Sequence, residues 1–463
     1  MHNGNATDRS DGAPHPADAV FGAIERPPRV PPYLAIGLST TVRGVARRAD
    51  CWVNLRHLAN MIRGAFYTCS INHPIKLVAL PEGAITGFTD EAFDVDHVVA
   101  ARELFIDIPG EETDFLGELA KQFDTFIIAQ CKARWPEVMK DRFFNTAFII
   151  SPEGKVVHKY AKNHVFPRER SCTPHDIYDR WVEVFGDGLE AFYPVYKSPI
   201  IGNIGTIVCN DGHYPEAVRA LALNGAEVVY RPSMSQPMTG NGTWEIQNRA
   251  HAVFNNVYVI APNIGPYYLT PGVEHPYDVA GGMAHIVDYT GKVVCRSASG
   301  ADTVVAALID IEQLRLFRER TLRGNWLKDL RTEIFAKMYA EPIMPKNMWL
   351  HQDPLGHEAL DAVYRQNIRR LQERGTYTPP SAYFPGARFL HPIPNPEDRS
   401  LARMRELLWD PWGAEMAPHL HTREQLAPTP GRPGTRNGRG RNGRAAAGRR
   451  AGTGRRGRAS GGP

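Results

Sequence analysis

Asn203-Ile-Gly-Thr-Ile-Val-Cys209-Asn-Asp-Gly-His-Tyr-Pro215-Glu216 sets a short apolar, β-rich run directly against a thiol, a turn and a helix start. The run reads as a buried strand, Asp211-Gly212 as the turn, Pro215 as the first helical position and Gly225 as the helix stop. A thiol in so sharp a strand-to-helix turn is presented for chemistry. The backbone N–H groups that follow it face an oxyanion, and the helix N-terminus is expected to favour thiolate over thiol. Taken alone, the same pattern fits an inert core thiol, because free cysteines are among the most buried residues.

Two further strand ends carry ionisable groups. Ile75-Lys-Leu-Val-Ala-Leu80-Pro81-Glu82-Gly83 ends an apolar run on a carboxylate, and Gly154-Lys-Val-Val-His-Lys-Tyr-Ala-Lys162 leaves the turn Ser151-Pro-Glu-Gly154 as a strand that ends on a lysine. In isolation the first reads as a solvated turn and the second as a surface gatekeeper. Together with Cys209 they supply what hydrolysis of an unactivated C–N bond requires: a nucleophile, a base that takes its proton and returns it to the leaving amine, and a donor for the oxyanion. A free thiol near pKa ~8.5 is mostly protonated at neutrality, so Glu82 suits the role of base. Lys162 supplies a fixed positive charge beside the tetrahedral intermediate, together with the Asn210 backbone N–H.

Glu, Lys and Cys at three successive strand ends resemble the nitrilase (carbon–nitrogen hydrolase) superfamily. The likeness runs from about Tyr33 to about Arg320. It is strongest in Cys209-Asn-Asp-Gly-His-Tyr-Pro-Glu216 and Asn224-Gly-Ala-Glu-Val-Val229, which look most like aliphatic amidases and formamidases. It continues through Arg249-Ala-His-Ala-Val-Phe-Asn-Asn-Val-Tyr-Val-Ile-Ala-Pro-Asn263 and Gly281-Gly-Met-Ala-His-Ile-Val-Asp288. The resemblance implies an α/β fold of the four-layer αββα sandwich type, a Glu82, Lys162 and Cys209 triad, and no cofactor. It also implies a second glutamate after the lysine, where Glu169 stands. Carbamoylase-like members place that carboxylate further along, where this chain has Asp176, Asp179 and Glu183.

Nitrilases proper carry Cys-Trp-Glu at the nucleophile, whereas this chain has Cys209-Asn210-Asp211, the amidase and carbamoylase style. A small carboxylic amide is therefore the expected substrate, with a nitrile or an N-carbamoyl compound as the alternative on the same triad. The segments Phe166 to Gly188, Ser233 to Gln247 and Tyr267 to Pro276 are expected to line the pocket. The resemblance also implies a homodimer or larger even assembly, paired through the helices after Pro215 and before Gly242.

Periodicity agrees with an α/β layout. Trp52, Leu55, Ala59, Ile62, Phe66 and Cys69 share a helical face before the strand Ile75 to Leu80, and Leu116, Leu119, Ala120 and Phe123 do the same before Thr125 to Gln130. A hairpin joins Phe144 to Ile150 and Lys155 to Tyr160, and strands follow at Val257 to Ala261, Ala284 to Asp288 and Val304 to Ile309. Strands alternating with helices imply sheets covered by helices on their outer faces.

At 463 residues the chain exceeds one core of ~300 residues, and the excess falls at the ends. Residues 1–31, polar and Pro-rich, read as a disordered leader without a signal peptide. Residues 32–322 form the catalytic domain, closed by a helix from Gln313 to Leu322. Residues 323–426 form an extension rich in Pro, Trp and His, with an amphipathic helix at Glu358 to Arg374. It would either wrap its own subunit or reach across a dimer. No run of eighteen apolar residues suggests a membrane span.

The six cysteines, at 51, 69, 131, 172, 209 and 295, lack CxxC spacing, which suits a reducing cytoplasm and indicates neither a disulfide framework nor a zinc site. No HExxH pattern accompanies the seventeen histidines, so no metal is expected. His158, His164 and His175 read as ordinary polar residues near the site.

From Ala427 onward there are ten arginines and no acidic residue, a composition that stays disordered. Since the whole chain is formally +4, residues 1–426 carry a net −6 and the basicity belongs to the tail. Such a tail suggests a second class of function, binding of nucleic acid or an anionic surface. It lacks the aromatic residues that stacking on bases requires, so nonspecific polyanion contact is the form expected. A catalytically dead binding protein on the same scaffold is disfavoured by the intact triad.

Overall fold

The computed structural model describes residues 26–70, 72–234, 241–278 and 281–380. Twelve strands of three or more residues build two sheets on one repeated plan. The first six in the chain order of use are β1 (Tyr33–Ser39), β2 (Ile75–Ala79), β3 (Phe126–Arg134), β4 (Phe143–Ile150), β5 (Val156–Ala161) and β6 (Val195–Ser198). The others are β7 (Gly202–Thr206), β8 (Val228–Tyr230), β9 (Tyr258–Ala261), β10 (His285–Val287), β11 (Val293–Arg296) and β12 (Thr303–Ile309). Sheet one runs β12-β1-β2-β3-β4-β5, and sheet two runs β11-β10-β9-β8-β7-β6. In each, three neighbouring strands are parallel, β1-β2-β3 and β7-β8-β9, and the outer partners are antiparallel.

Parallel neighbours require crossovers, which the helices supply. Helices α1 (Cys51–Cys69) and α2 (Glu111–Phe123) connect the parallel strands of sheet one, and α3 (Pro215–Leu223) and α4 (Thr243–Asn255) those of sheet two. Side chains alternate along each strand, so one set meets the facing sheet and the other meets helices. Ala35, Leu77, Ala79, Phe126, Ile128 and Ile149 pack with Ile204, Val228, Tyr230, Tyr258, Ile260 and Ile286 in the core between the sheets. On the far side of sheet two, Val229, Val259 and Val287 pack against Val218 and Leu221 of α3 and Trp244 and Ala252 of α4. On sheet one, α1 and α2 are joined by stacking of Phe66 on Phe123. The four layers are therefore α, β, β, α.

The two-sheet region closes with α5 (Ile311–Arg320), two residues earlier at each end than the expected helix. The helix expected before Gly242 instead begins after it, as α4. Residues 1–25 of the expected leader lie outside the described residues, but its end is held: Val30 is buried and its N–H donates to Glu312 Oε1 at 3.1 Å. Residues 381–463, with the arginine-rich tail, also lie outside the described residues.

The described part of the extension packs on the two-sheet region of the same chain. Trp349 N–H donates to the Asp176 carbonyl at 2.9 Å, and Arg170 Nη2 donates to the Leu355 carbonyl at 3.1 Å. Trp349 and Leu360, the latter on α6 (His357–Glu373), complete an apolar cluster with Trp135, Phe144, Ile177 and Trp181. Among the described residues no helix is long and apolar enough to cross a membrane.

Candidate active site

Glu82, Lys162 and Cys209 follow the carboxyl ends of β2, β5 and β7, where open α/β sheets gather their ligands. Cys209 takes φ +45°, in the left-handed region, which costs a non-glycine residue about 1–3 kcal/mol. The turn around it opposes that strain. Asp211 Oδ2 accepts from the Tyr160 hydroxyl at 2.7 Å and from Val208 N–H at 3.0 Å, while its Oδ1 accepts from His164 N–H at 2.8 Å. Arg231, buried beneath, donates to the Cys209 carbonyl at 3.2 Å and to Gln247 and Asn248. Only glycine fits at 212, where a Cβ would stand 2.0 Å from Arg231 Nε. A 3₁₀ turn, Cys209–His213, separates the thiol from α3. Asn210 lies in that turn, and its side chain donates to the Val165 carbonyl at 2.9 Å, tying the turn to the segment after Lys162.

The carboxylates and lysines form one buried chain. Lys162 Nζ donates to Glu169 Oε2 at 2.6 Å and to Glu82 Oε1 at 3.3 Å. Asn145 Nδ2, on β4, bridges the same two carboxylates at 3.1 Å to Glu82 and 2.8 Å to Glu169. Glu82 Oε2 accepts from Met234 N–H at 3.0 Å. A second lysine, Lys132 on β3, is fully buried and donates to Glu169 at 3.0 Å, Asp90 at 3.2 Å, Glu91 at 3.1 Å and Ser171 at 3.0 Å. Buried charges persist only where partners compensate them, and here each lysine is held by at least two carboxylates.

This arrangement fixes the protonation states. Burial pushes the Cys209 thiol up to about 12; the Glu82 charge adds to the rise, while Lys162 and a hydrogen bond with Ser233 oppose it. The expectation that a helix N-terminus would favour the thiolate is therefore corrected: α3 starts beyond the 3₁₀ turn, and desolvation beside a carboxylate dominates. Burial would also raise the Glu169 carboxyl, but Lys132 and Lys162 together hold it well below the usual carboxylate range. Lys162, despite desolvation, is held charged by Glu169 and Glu82.

Sequence reading located Glu82, Lys162, Glu169 and Cys209, four of the ionisable residues that the structure brings together. The alternatives for the second carboxylate are placed elsewhere. Asp179 pairs with Lys346 at 3.1 Å, Glu183 pairs with Arg180 at 2.8 Å, and Asp176 accepts from Thr173. Sequence reading missed Lys132, Asn145 and Arg231. An isolated lysine inside the apolar run Phe126-Ile-Ile-Ala-Gln-Cys-Lys132 was the one available signal, because a charge there must meet buried partners. His164 stacks on Tyr214 with ring centroids 3.9 Å apart, and His158, a half-buried ring, is pushed down to about 4 by desolvation. Of the expected lining segments, residues 235–240 lie outside the described residues. Among the described residues no group of three His, Cys, Asp or Glu side chains is placed to hold a metal ion, and the six cysteines are free thiols.

The carbon-nitrogen hydrolase family model matches residues 37–319. Deaminated glutathione amidase of Synechocystis sp. is 27% identical over 290 residues, covering 62% of this chain and 96% of the relative. Omega-amidase NIT2-B of Xenopus laevis is 28% identical over 213 residues, covering 46% of this chain and 71% of the relative. Among solved structures, Saccharomyces cerevisiae Nit3 is 22% identical with a TM-score of 0.48, covering 64% of this chain and 97% of that one. With the family model spanning more than half of its length, the chain belongs to the carbon-nitrogen hydrolase family.

Proposed function

We propose that the protein hydrolyses a small carboxylic amide to its acid and ammonia through a thioester on Cys209. The observation that carries this reading is a thiol held in a strained turn and acted on by the charges of Glu82 and Lys162, which are hydrogen-bonded to each other. A thiol pushed up to about 12 is no nucleophile at rest, so its proton must leave as the C–S bond forms. Glu82 takes that proton. Sulfur attacks the carbonyl carbon, and the oxyanion that develops is met by Lys162 Nζ and the Asn210 N–H. Glu82 then protonates the amide nitrogen and ammonia leaves. In the second half Glu82 takes a proton from water, hydroxide attacks the thioester, and the expelled thiolate recovers its proton from Glu82. Glu169, held low by two lysines, is a poor proton acceptor and serves to orient Lys162.

Amide is favoured over nitrile by direction. A planar amide offers a carbonyl oxygen to the fixed cation, whereas a linear nitrile develops its charge on nitrogen along another line. The relatives named as amidases and the formamidase of Bacillus cereus support the same choice. Matched pairs test it: kcat/KM for propionamide and benzamide is expected to exceed that for propionitrile and benzonitrile. A consistent preference for the nitriles would overturn the amidase reading while leaving the thiol mechanism in place.

A further inference from the structure

The segment after β5 and the docked extension enclose a cavity of about 610 Å³, a size ordinary for small-molecule sites. Its chemistry is uneven. Among the residues lining it there is one carboxylate, Asp176, and there is neither lysine nor arginine. The same cavity is lined by the rings of Tyr178, Tyr193, Tyr214, Trp349 and Tyr364 and by the imidazoles of His164 and His175. Asp176 is 5% exposed, and its Oδ2 takes both Thr173 hydrogen bonds, from N–H at 3.0 Å and from the hydroxyl at 2.8 Å. Its Oδ1 accepts no hydrogen bond among the described residues. Burial raises the Asp176 carboxyl to about 6 against the pull of its Thr173 hydrogen bonds, so its charged form carries a desolvation cost that a cation would relieve.

The rings are suited to the same guest. Lys346 Nζ sits 4.7 Å from the Tyr178 centroid while pairing with Asp179. Burial pushes the Tyr364 hydroxyl up to about 12, and the charges of Asp176 and Glu169 add to the rise. Asp176 and Tyr364 of the extension helix thus lie within electrostatic reach of each other. A compact ammonium group satisfies both features at once, attracted by the carboxylate and by the ring faces.

We propose that this cavity binds a small organic ammonium ion, held by Asp176 and the surrounding aromatic faces. The ion is either the remote end of an amide substrate or a separate ligand. Only the first of these rests on the amidase reading.

Calorimetric titration of the full-length chain with choline, and with its neutral isostere 3,3-dimethylbutan-1-ol, tests the site. Choline is expected to bind saturably and about tenfold or more tighter than the alcohol. Asp176→Asn is expected to weaken choline by about the same factor. Should that variant unfold at a lower temperature, Tyr364→Leu is the second test, with a several-fold loss. Binding of the alcohol as tight as that of choline, no binding of choline, or choline binding unchanged in the folded variants would overturn the proposal. Choline inhibition competitive with an amide marks the cavity as receiving the substrate's ammonium end. Choline binding with turnover unchanged marks a separate ligand, and supports the site equally.

Discussion

The chemistry of this chain is concentrated in side chains whose partners lie far away in sequence. Glu82, Lys162 and Cys209 were legible only together: each alone fits an ordinary turn, gatekeeper or core thiol, but a carboxylate, a lysine and a thiol at three strand ends match one hydrolytic chemistry and one family pattern. Lys132 and Asn145 were not, because their roles depend on carboxylates at positions 82, 90, 91 and 169 that reach them only through folding. Glu91 shows what this network does to proton balance. Burial pushes its carboxyl up to about 8; Lys132 opposes the rise and Glu169, Asp90 and Glu82 add to it. A folded pKa above the unfolded one means that the native state holds its proton more tightly. The associated stability is complete below the ordinary value of 4.5 and is lost as pH rises through about 8. Relative to Glu91→Gln, which cannot titrate, the wild type is predicted to lose stability between about pH 5 and pH 8.5. Calorimetric Tm values for both proteins across that range check it. Parallel curves would contradict the buried-carboxyl account.

At the scale of elements, the parallel strands and their crossover helices follow directly from periodicity, because α1 and α2 each place an apolar face before a buried strand. The outer strands β6 and β11 escaped notice for a physical reason. Both are four-residue strands at sheet edges, mostly part-exposed, too short for a periodic signal to stand out. The extension was the least legible element. Its composition gave no periodic signal outside α6, yet it docks through Trp349, which is 1% exposed in the cluster with Trp135, Phe144 and Trp181. Truncating a buried aromatic of this size costs about 3–5 kcal/mol. Trp349→Ala is accordingly predicted to lower stability by that order in urea titration and to loosen the extension, seen as faster amide exchange over residues 343–373. A loss within ~0.5 kcal/mol, the range of ordinary surface substitutions, would show that the extension is a passenger.

On the scale of the whole molecule, two sheets on one plan face each other across a shared core, and the ends of β2, β5 and β7 meet at one place. The outer face of sheet two leaves apolar side chains exposed on its helices: Leu223 at the end of α3, and Ile246 and Phe254 on α4. Beside them a groove of about 660 Å³ runs between these helices and Phe335, Met338 and Tyr339 of the extension. An isologous pair would bury this face twice, and a homodimer is predicted through it. Light scattering at micromolar concentration is expected to report a dimer that Leu223→Glu weakens, and a wild-type monomer would contradict the assignment.

The central claim, that Cys209 carries the acyl group, is tested most directly by mass spectrometry of an acid-quenched reaction with a slowly turned-over amide. An adduct equal in mass to the acyl group is predicted on the peptide containing Cys209 in the wild type, and none in a folded, inactive Cys209→Ala protein. Turnover of the amide by Cys209→Ala at the wild-type rate, or an adduct on another residue, would contradict it.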